Sequence, residues 1–352
     1  MDYAKPLFPI QQVNKSGKRL VEYIEDPAMA AGDIQEDIPV VENWRAAHNH
    51  PLNAFYVTLK NRAAKINARA LTAQRLKRLS SIAKKLYHAN EKKMKLSQMQ
   101  DIGGCRAVMP TIAEVNRLLE TYDKHPVIHF RNKEKDKDYI SKPKDTGYRG
   151  IHLKYKYTGK GKSEPWDGLK IEIQLRTLLQ HKWATAVEAA GTITNQALKS
   201  NLGNEHWLRF FALMSSIFAL REECTLVPGT PGTYEMLSKE IQELNNQHHI
   251  QAVFAQYHKI IPSLKGKKNA KYFLITLDPI KRETSIKGFK DGESQKANAE
   301  CTLLEQTHLK SPTQIVLVQV SNVKALERAY PNYFLDTQDF LREIAKITGV
   351  PA

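Results

Sequence analysis

The chain of 352 residues is long enough for two or three domains, and its hydrophobic content of 41% is ordinary for a globular protein. It contains no run of ~20 apolar residues that would cross a membrane, and its three scattered cysteines argue against a disulfide framework or a cysteine-ligated zinc site. The net charge of +16 indicates a polyanionic partner, namely a nucleotide, a nucleic acid or an anionic membrane. Because the N-terminus shows no signal-peptide pattern, we expect a protein of the reducing cytoplasm.

A strongly basic stretch occupies positions 60–95, where Glu91 is the only acidic residue. Most charge runs form a solvated helix face, but the near absence of opposing carboxylates favours anion binding here. Apolar residues recur at three- and four-residue steps within 76–86, which predicts a helix over 72–93. One face of that helix would carry donors suited to phosphate oxygens, namely Lys77, Ser81, Lys85 and His88. Arg75 stands near the start of the helix.

The central part of the chain alternates predicted strands and helices. Strands are expected at 106–109, 129–130, 150–157 and 169–176, with helices at 112–122, 178–190 and 204–221. Gly191 would end the second of these helices as its C-cap. The pattern predicts an α/β core.

The strand at 169–176 alternates strictly between apolar and polar side chains. Glu172, Gln174 and Arg176 share one face. Solvent exposure is the usual outcome for such a face, but this one also suits the floor of an active site. Glu172 and Asp101 together would supply the one or two carboxylates that Mg²⁺ takes when it is bound to nucleotide phosphates.

A lysine-rich loop precedes the strand at 150–157. Tyr148, Gly150 and His152 would lie on one strand face, where the tyrosine ring could stack on a base and Lys144 could meet a phosphate. A surface hairpin with a packed tyrosine explains this spacing equally well.

The clearest linker in the sequence is the proline- and glycine-rich stretch at 227–233. Beyond it we predict a helix at 234–261, strands at 272–277, 283–287 and 314–320, and helices at 297–307, 323–329 and 337–347. The sequence therefore predicts three parts: a core with an N-terminal helical extension at 1–225, a linker and connecting helix at 226–265, and a small α+β domain at 266–352.

Four blocks, taken together and in this order, resemble the RelA/SpoT nucleotide pyrophosphokinase domain. They are the spaced set Arg75, Lys77, Ser81 and Lys85, the segment 101–106, the segment 137–152 and the segment 172–177. The resemblance runs from about 75 to 191. It implies an α/β synthetase core in which a mixed sheet is flanked by helices.

The resemblance also implies roles in the transfer of pyrophosphate from ATP to a ribose hydroxyl. Arg75 and Arg106 would sandwich the adenine, while Lys77, Ser81 and Lys85 would hold the phosphates of ATP. Positioning and charge stabilisation are what this chemistry mainly requires of a protein.

Two carboxylates carry the implied catalysis. Asp101 and Glu172 would bind Mg²⁺, and Glu172 would also be the base for the attacking hydroxyl. Tyr148 would stack on the acceptor base, and the other implied acceptor residues are Lys144, His152, Gln174 and Arg176. His181 stands where an asparagine is common in the family, a departure that concerns acceptor recognition.

Segments 44–55 and 329–337 resemble the CapRel group of fused toxin–antitoxin synthetases. The resemblance implies that the C-terminal domain is a pseudo-zinc-finger antitoxin and sensor, whose Tyr330 and Tyr333 block the ATP site. Without this resemblance, the two tyrosines are better explained as residues that pack at a short helix junction. It further implies modification of the 3′ CCA end of tRNA, a block of translation in anti-phage defence, and a phage protein as trigger.

Three hypotheses follow. The first is a self-inhibited tRNA pyrophosphokinase, whose RNA backbone contacts would include Lys92, Lys93 and Lys95. The second is an alarmone synthetase that makes (p)ppGpp or (p)ppApp from ATP and a nucleotide. The third is a non-catalytic nucleotide-binding regulator, which the intact carboxylates argue against. Basic density at 60–95 favours the first over the second, because a tRNA presents more phosphates than a nucleotide.

Overall fold

The computed structural model describes residues 3–26, 28–88, 94–194, 198, 203–256, 263–266, 269–281, 283–320, 326–328, 330, 333 and 337–349. Its helices are α1 (Ile10–Glu25), α2 (Asp37–Ala47), α3 (Asn49–Ile66), α4 (Leu79–His88), α5 (Ile112–Lys124), α6 (Leu178–Ile193), α7 (Glu205–Arg221), α8 (Tyr234–His248), α9 (Ile250–Gln256), α10 (Ser294–Thr307) and α11 (Gln338–Thr348). Its strands are β1 (Leu71–Leu76), β2 (Gly103–Met109), β3 (Phe130–Arg131), β4 (Lys137–Asp138), β5 (Ile151–Lys156), β6 (Lys170–Thr177), β7 (Ser263–Gly266), β8 (Tyr272–Asp278), β9 (Glu283–Phe289) and β10 (Gln314–Gln319).

All of these strands belong to one mixed sheet, in the order β3-β5-β6-β2-β1-β10-β8-β9-β7, with β4 paired to β5. The β2–β6 and β7–β9 pairs are parallel and the others are antiparallel. Helices flank the sheet: α3 packs on β1, β2 and β6, α6 on β2 and β6, and α10 on β8 and β10. The predicted α/β fold with a mixed sheet flanked by helices is confirmed.

The C-terminal strands continue the sheet of the core. Strand β10 pairs with β1 in antiparallel fashion, with Gln74 opposite Gln319 and Arg75 opposite Val318. The predicted C-terminal part does contain strands and helices. Its separation as a domain at 266–352, and its pseudo-zinc-finger character, remain predictions.

The last helix, α11, is anchored on the helical layer rather than on the sheet. Its Phe340 and Ile344 are buried in a cluster with Phe211 and Phe218 of α7. The buried carboxylate of Glu343 accepts a 2.6 Å hydrogen bond from Arg221. The chain between β10 and α11 is therefore held at both ends, and Tyr330 and Tyr333 lie in that interval.

The expected helix over 72–93 is wrong at its start. Residues 71–76 form strand β1, which lies between β2 and β10, and the helix begins only at Leu79. The helical spacing was real for Leu79, Ile82 and Leu86, which are buried on α4. Leu76 matched that spacing by coincidence, because partners distant in sequence supply the hydrogen bonds of β1.

Two helix ends also differ from expectation. Helix α6 continues through Gly191 to Ile193, so this glycine does not cap it. The helix expected over 234–261 is interrupted at His249, whose φ of 51° is left-handed and separates α8 from α9. Among the described helices, none combines the length and apolarity needed to cross a lipid bilayer.

Candidate functional site

A cavity of about 330 Å³ lies on one face of the sheet, over β1, β2, β5 and β6. It gathers the side chains singled out in the sequence from positions far apart in the chain: Arg75, Lys77, Lys85, Asp101, Arg106, Lys144, Tyr148, His152, Glu172, Gln174, Arg176, Tyr330 and Tyr333. Three residues that the sequence analysis missed also line it, namely Tyr139, Lys154 and Glu188. The cavity therefore unites the predicted donor, acceptor and inhibitory residues.

Some predicted residues lie elsewhere. Ser81, on α4, is not among the residues that line the cavity. Lys95 is exposed and does not line the cavity, and Lys92 and Lys93 fall outside the described residues. The phosphate and RNA contacts proposed for these positions remain predictions.

The register of the sheet explains why these side chains meet. Across the strands, Arg75 is aligned with Gly104, Gly104 with Glu172, and Glu172 with Lys154. A second row, two residues along, aligns Ala73, Arg106, Gln174 and His152. Because alternate residues of a strand face the same side, both rows present their side chains to one cavity.

Asp101 sits between two lysines. Its carboxylate oxygens accept hydrogen bonds from Lys77 at 2.9 Å and from Lys85 at 2.7 Å. Burial works to raise the pKa of this carboxyl, but the charges of Lys77 and Lys85 outweigh it and hold the pKa well below its ordinary value. The two lysines therefore converge on one carboxylate, but not from the shared helix face that was predicted, because Lys77 precedes α4 and only Lys85 is on it.

Glu172 is buried beside two hydrogen-bonding side chains. Gln174 donates to it at 2.7 Å, and His152 Nδ1 lies 3.3 Å from its other oxygen. Burial would raise the pKa of Glu172, but the contacts with His152 outweigh that effect and lower it. The Tyr148 hydroxyl is 2.7 Å from His152 Nε2. A His152 tautomer with its proton on Nδ1 satisfies both contacts, so Tyr148, His152 and Glu172 form one hydrogen-bonded chain.

Three arginines make the rest of the cavity electropositive. Arg75, Arg106 and Arg176 all line it. Burial and the neighbouring charge of Arg106 lower the pKa of Arg176 to about 9. Glu188 of α6 interacts electrostatically with all three guanidinium groups. Its sequence signal was a lone charge in the otherwise uncharged segment 183–190.

Tyr330 and Tyr333 pack against the predicted adenine-binding arginines. The Arg106 guanidinium carbon is 5.3 Å from the centre of the Tyr330 ring, within the range of a cation–π contact. Arg75 donates to the Tyr333 hydroxyl at 3.3 Å, and the Tyr330 hydroxyl donates to the main-chain oxygen of Gln74 at 3.2 Å. The rings are only 4% and 1% exposed. Both tyrosines are therefore buried in contact with the two arginines that were predicted to bind adenine.

His181 connects the cavity to the segment that carries Tyr330. Its Nδ1 accepts a hydrogen bond from Arg176, and its Nε2 donates to the main-chain oxygen of Arg328 at 3.2 Å. Burial, reinforced by the charge of Arg176, lowers the pKa of His181 far below its ordinary value. The neutral ring thus bridges Arg176 and the segment that carries Tyr330.

Comparison with known proteins finds a family match for the part of the chain that contains most of the residues lining this cavity. Residues 74–195 match a protein family described as "Region found in RelA / SpoT proteins". These residues form a RelA/SpoT domain. It contains Asp101, Glu172 and the three arginines, whereas Tyr330 and Tyr333 lie outside it.

The similar proteins include synthetases of alarmone nucleotides. The GTP pyrophosphokinase YwaC of Bacillus subtilis (strain 168) is 30% identical over 118 residues, which are 32% of this chain and 54% of that protein. The chain thus spans about half the length of this curated relative. The structures of small alarmone synthetase 2 and of small alarmone synthetase 1 with its product pppGpp, both from Bacillus subtilis, are 23% and 20% identical, each with a TM-score of 0.42. They cover 51% and 50% of this chain, and the matches span 93% and 89% of their own chains.

Proposed function

We propose that the protein is an ATP-dependent pyrophosphokinase that its own C-terminal segment holds inactive, and that its acceptor is the 3′ CCA end of tRNA. The observation that carries this proposal is one cavity that combines the carboxylates of Asp101 and Glu172 and several cations with Tyr330 and Tyr333 packed against its arginines. Similarity of the RelA/SpoT domain to a GTP pyrophosphokinase supports the reaction class.

The donor end of the cavity suits ATP. Arg75 and Arg106 would stack on adenine in place of the tyrosines, because guanidinium groups stack on aromatic faces. Lys77 and Lys85 already hold an anion, the Asp101 carboxylate, and supply the donors that phosphate oxygens require. The charge of Arg106 contributes to the lowered pKa of Arg176. A polyanion that enters the cavity would offset this repulsion between the two guanidinium groups.

Asp101 and Glu172 fit a magnesium site. Both line the cavity, and the charge of Asp101 acts on Glu172. Mg²⁺ in phosphate-transfer sites takes one or two carboxylates and substrate phosphates, and it neutralises charge on the transferred group.

Glu172 would also take the proton of the attacking hydroxyl. In the proposed transfer, the ribose oxygen forms a bond to the β-phosphorus of ATP, the bond from that phosphorus to the α-bridging oxygen breaks, and AMP leaves. The lowered pKa keeps Glu172 ionised and able to accept the proton. His152 and Gln174 would orient its carboxylate through their contacts.

An extended basic surface beside the cavity supports an RNA acceptor. Exposed lysines are frequent in and around β4 and at the end of β5, and Lys144 among them also lines the cavity: Lys133, Lys135, Lys137, Lys142, Lys144 and Lys156. Burial, together with the nearby charges of Lys135 and Lys156, lowers the pKa of Lys170 on β6, so these three lysines lie near one another. A tRNA acceptor stem would present a row of phosphates to such a surface, whereas a single nucleotide would leave most of it unused.

A phage protein is the proposed trigger, and defence by blocked translation is the proposed role. An activator must bind the open arrangement more tightly than the closed one, since equal affinity for both shifts nothing. Its binding surface would lie on the C-terminal part, which both extends the sheet and carries the tyrosines.

The second candidate is an alarmone synthetase with a nucleotide as acceptor, producing (p)ppGpp or (p)ppApp. The naming of the similar YwaC protein as a GTP pyrophosphokinase favours it. The two candidates separate when ATP labelled on the γ-phosphate is incubated with the activated protein and either bulk tRNA or guanine nucleotides. We expect label in tRNA. Label confined to the nucleotide would select the synthetase, and label in neither would contradict both.

Replacing Tyr148 with alanine should impair acceptor use more than ATP binding. The ring lies beside His152 on the acceptor side, and loss of one stacked base costs ~1–3 kcal/mol, or roughly ten- to hundredfold in acceptor affinity. Initial rates at varied acceptor and at varied ATP measure the two effects. The Tyr148→Phe variant keeps the ring and removes only the hydrogen bond to His152, so it should retain most acceptor affinity. A selective loss of ATP affinity in Tyr148→Ala would reverse the assignment of the two pockets.

A further inference from the structure

A second cavity, of about 320 Å³, lies at the junction of β1 and β10. On β1, Ala73 lines the cavity that contains Asp101 and Glu172, Gln74 and Leu76 line this one, and Arg75 borders both. Since adjacent residues of a strand point to opposite faces, the second cavity is on the other side of the sheet. Its walls come from α2, α3 and α10, with Tyr3 at its rim.

Gln74 presents an unsatisfied acceptor there. Its side-chain amide donates to Gln319 Oε1, and the residue is only 5% exposed. Its Oε1 is buried, and no described residue gives it a hydrogen bond. Buried polar atoms without partners are uncommon and unfavourable, so this oxygen marks a position for a ligand donor.

Arg78 adds an unsatisfied donor on the same cavity. One of its terminal nitrogens donates to Gln314 at 2.8 Å, but its Nε is buried without a hydrogen-bond partner among the described residues. A ligand that satisfies both residues must carry an N–H for Gln74 and an acceptor for Arg78. The edges of nucleobases carry both groups side by side.

The other walls favour a neutral ligand with an aromatic ring. Asn49, Asn53 and Asn298 line the cavity together with Tyr3 and Tyr272, so amides that can pair with hydroxyls and aromatic rings that can stack on a base are both among its lining residues. The buried Arg45 on this wall is neutralised by ion pairs with Glu42 and Glu305. The volume is near the lower end of small-ligand pockets, ~300–1,000 Å³, which suits a nucleoside rather than a triphosphate with its metal.

We propose that this cavity binds a nucleoside. The N–H of the base pairs with Gln74, a base acceptor pairs with Arg78, and the asparagine amides bind the ribose hydroxyls. The ligand bridges α3 and β1 to α10 and β10, so it joins the N-terminal and C-terminal parts of the chain. The proposal requires no transferase activity and therefore stands apart from the proposed function.

The test is a titration of the full-length protein with adenosine, guanosine, cytidine and uridine, in which saturation-transfer NMR measures binding. At least one nucleoside should bind saturably. Asn298→Trp should abolish that binding by filling the cavity, and Gln74→Leu should weaken it ~tenfold, as expected for loss of a buried hydrogen bond. Ala299→Trp is the matched control, because Ala299 is the exposed next residue of α10 and does not line the cavity; it should bind as the parent does.

Two results would overturn the proposal. One is the absence of saturable binding by the parent protein for all four nucleosides. The other is binding that survives in folded Asn298→Trp and in Gln74→Leu but is lost in Arg106→Ala. The nucleoside would then occupy the cavity that contains Asp101 and Glu172. Thermal unfolding of each variant verifies its fold, and Gln74→Leu decides the matter if Asn298→Trp does not fold.

Discussion

Replacing both Tyr330 and Tyr333 with alanine should make the protein toxic to growing cells without any trigger. The Tyr330 ring packs on the Arg106 guanidinium, and the Tyr333 hydroxyl accepts a hydrogen bond from Arg75. Under the proposed function ATP would have to displace both tyrosines, so its apparent affinity would be reduced by the fraction of molecules that are open. If the closed arrangement holds ~99% of molecules, removing the rings raises the apparent ATP affinity by up to about a hundredfold.

Growth after induction measures the toxicity, and ATP titration of purified protein measures the affinity. The same double substitution combined with Glu172→Gln should be harmless, which would tie the toxicity to transfer rather than to misfolding. Large-to-small changes at buried aromatics cost ~3–5 kcal/mol of stability each, so unfolding must be followed in parallel. The Tyr330→Phe, Tyr333→Phe protein keeps the rings and loses the hydrogen bonds to Gln74 and Arg75, and we expect only partial release. The opposite result would be a stably folded alanine variant that is as harmless as the parent protein, while phage still activates the parent. That result would show that the tyrosines do not block the site.

Glu172→Gln should abolish pyrophosphate transfer, by about a thousandfold or more, while leaving the fold intact. Glutamine has nearly the same shape but can neither hold Mg²⁺ as a carboxylate nor take the proton of the acceptor hydroxyl. Removal of a single group that acts on transition-state charge typically costs 10²–10³ in rate, and here one residue is proposed to fill two roles. Incorporation of γ-labelled phosphate into acceptor, with the double tyrosine variant as background, gives the readout.

Asp101→Asn should lose transfer as well, but with a cost in stability. The change leaves Lys77 and Lys85 without the carboxylate that now accepts their hydrogen bonds. Its effect on activity is therefore interpretable only beside its unfolding curve. Glu164→Gln is a suitable control for both variants, because this carboxylate is exposed and outside the cavity. Transfer at the parental rate in Glu172→Gln or in a folded Asp101→Asn would remove that residue from the metal role.

Local sequence determined much of the core. The strict alternation in β6 put Glu172, Gln174 and Arg176 on one face, and the structure places that face in the cavity. The spacing of buried apolar residues likewise located α5, α7 and α10 to within a few residues. These features depend on contacts within one strand or one helix, so a periodic pattern is sufficient to predict them.

Tertiary structure decided what lies between the elements. Residues 71–76 became a strand because β2 and β10 supply hydrogen bonds on both of its sides, and β10 is more than 200 positions away in the chain. Glu188 faces the arginines only because α6 packs over β2 and β6. The seating of Tyr330 and Tyr333 requires the β1–β10 pair on one side and the anchored α11 on the other. No local period carries such information, because each of these positions depends on a pairing between distant segments whose free energy is gained only when the whole sheet has formed.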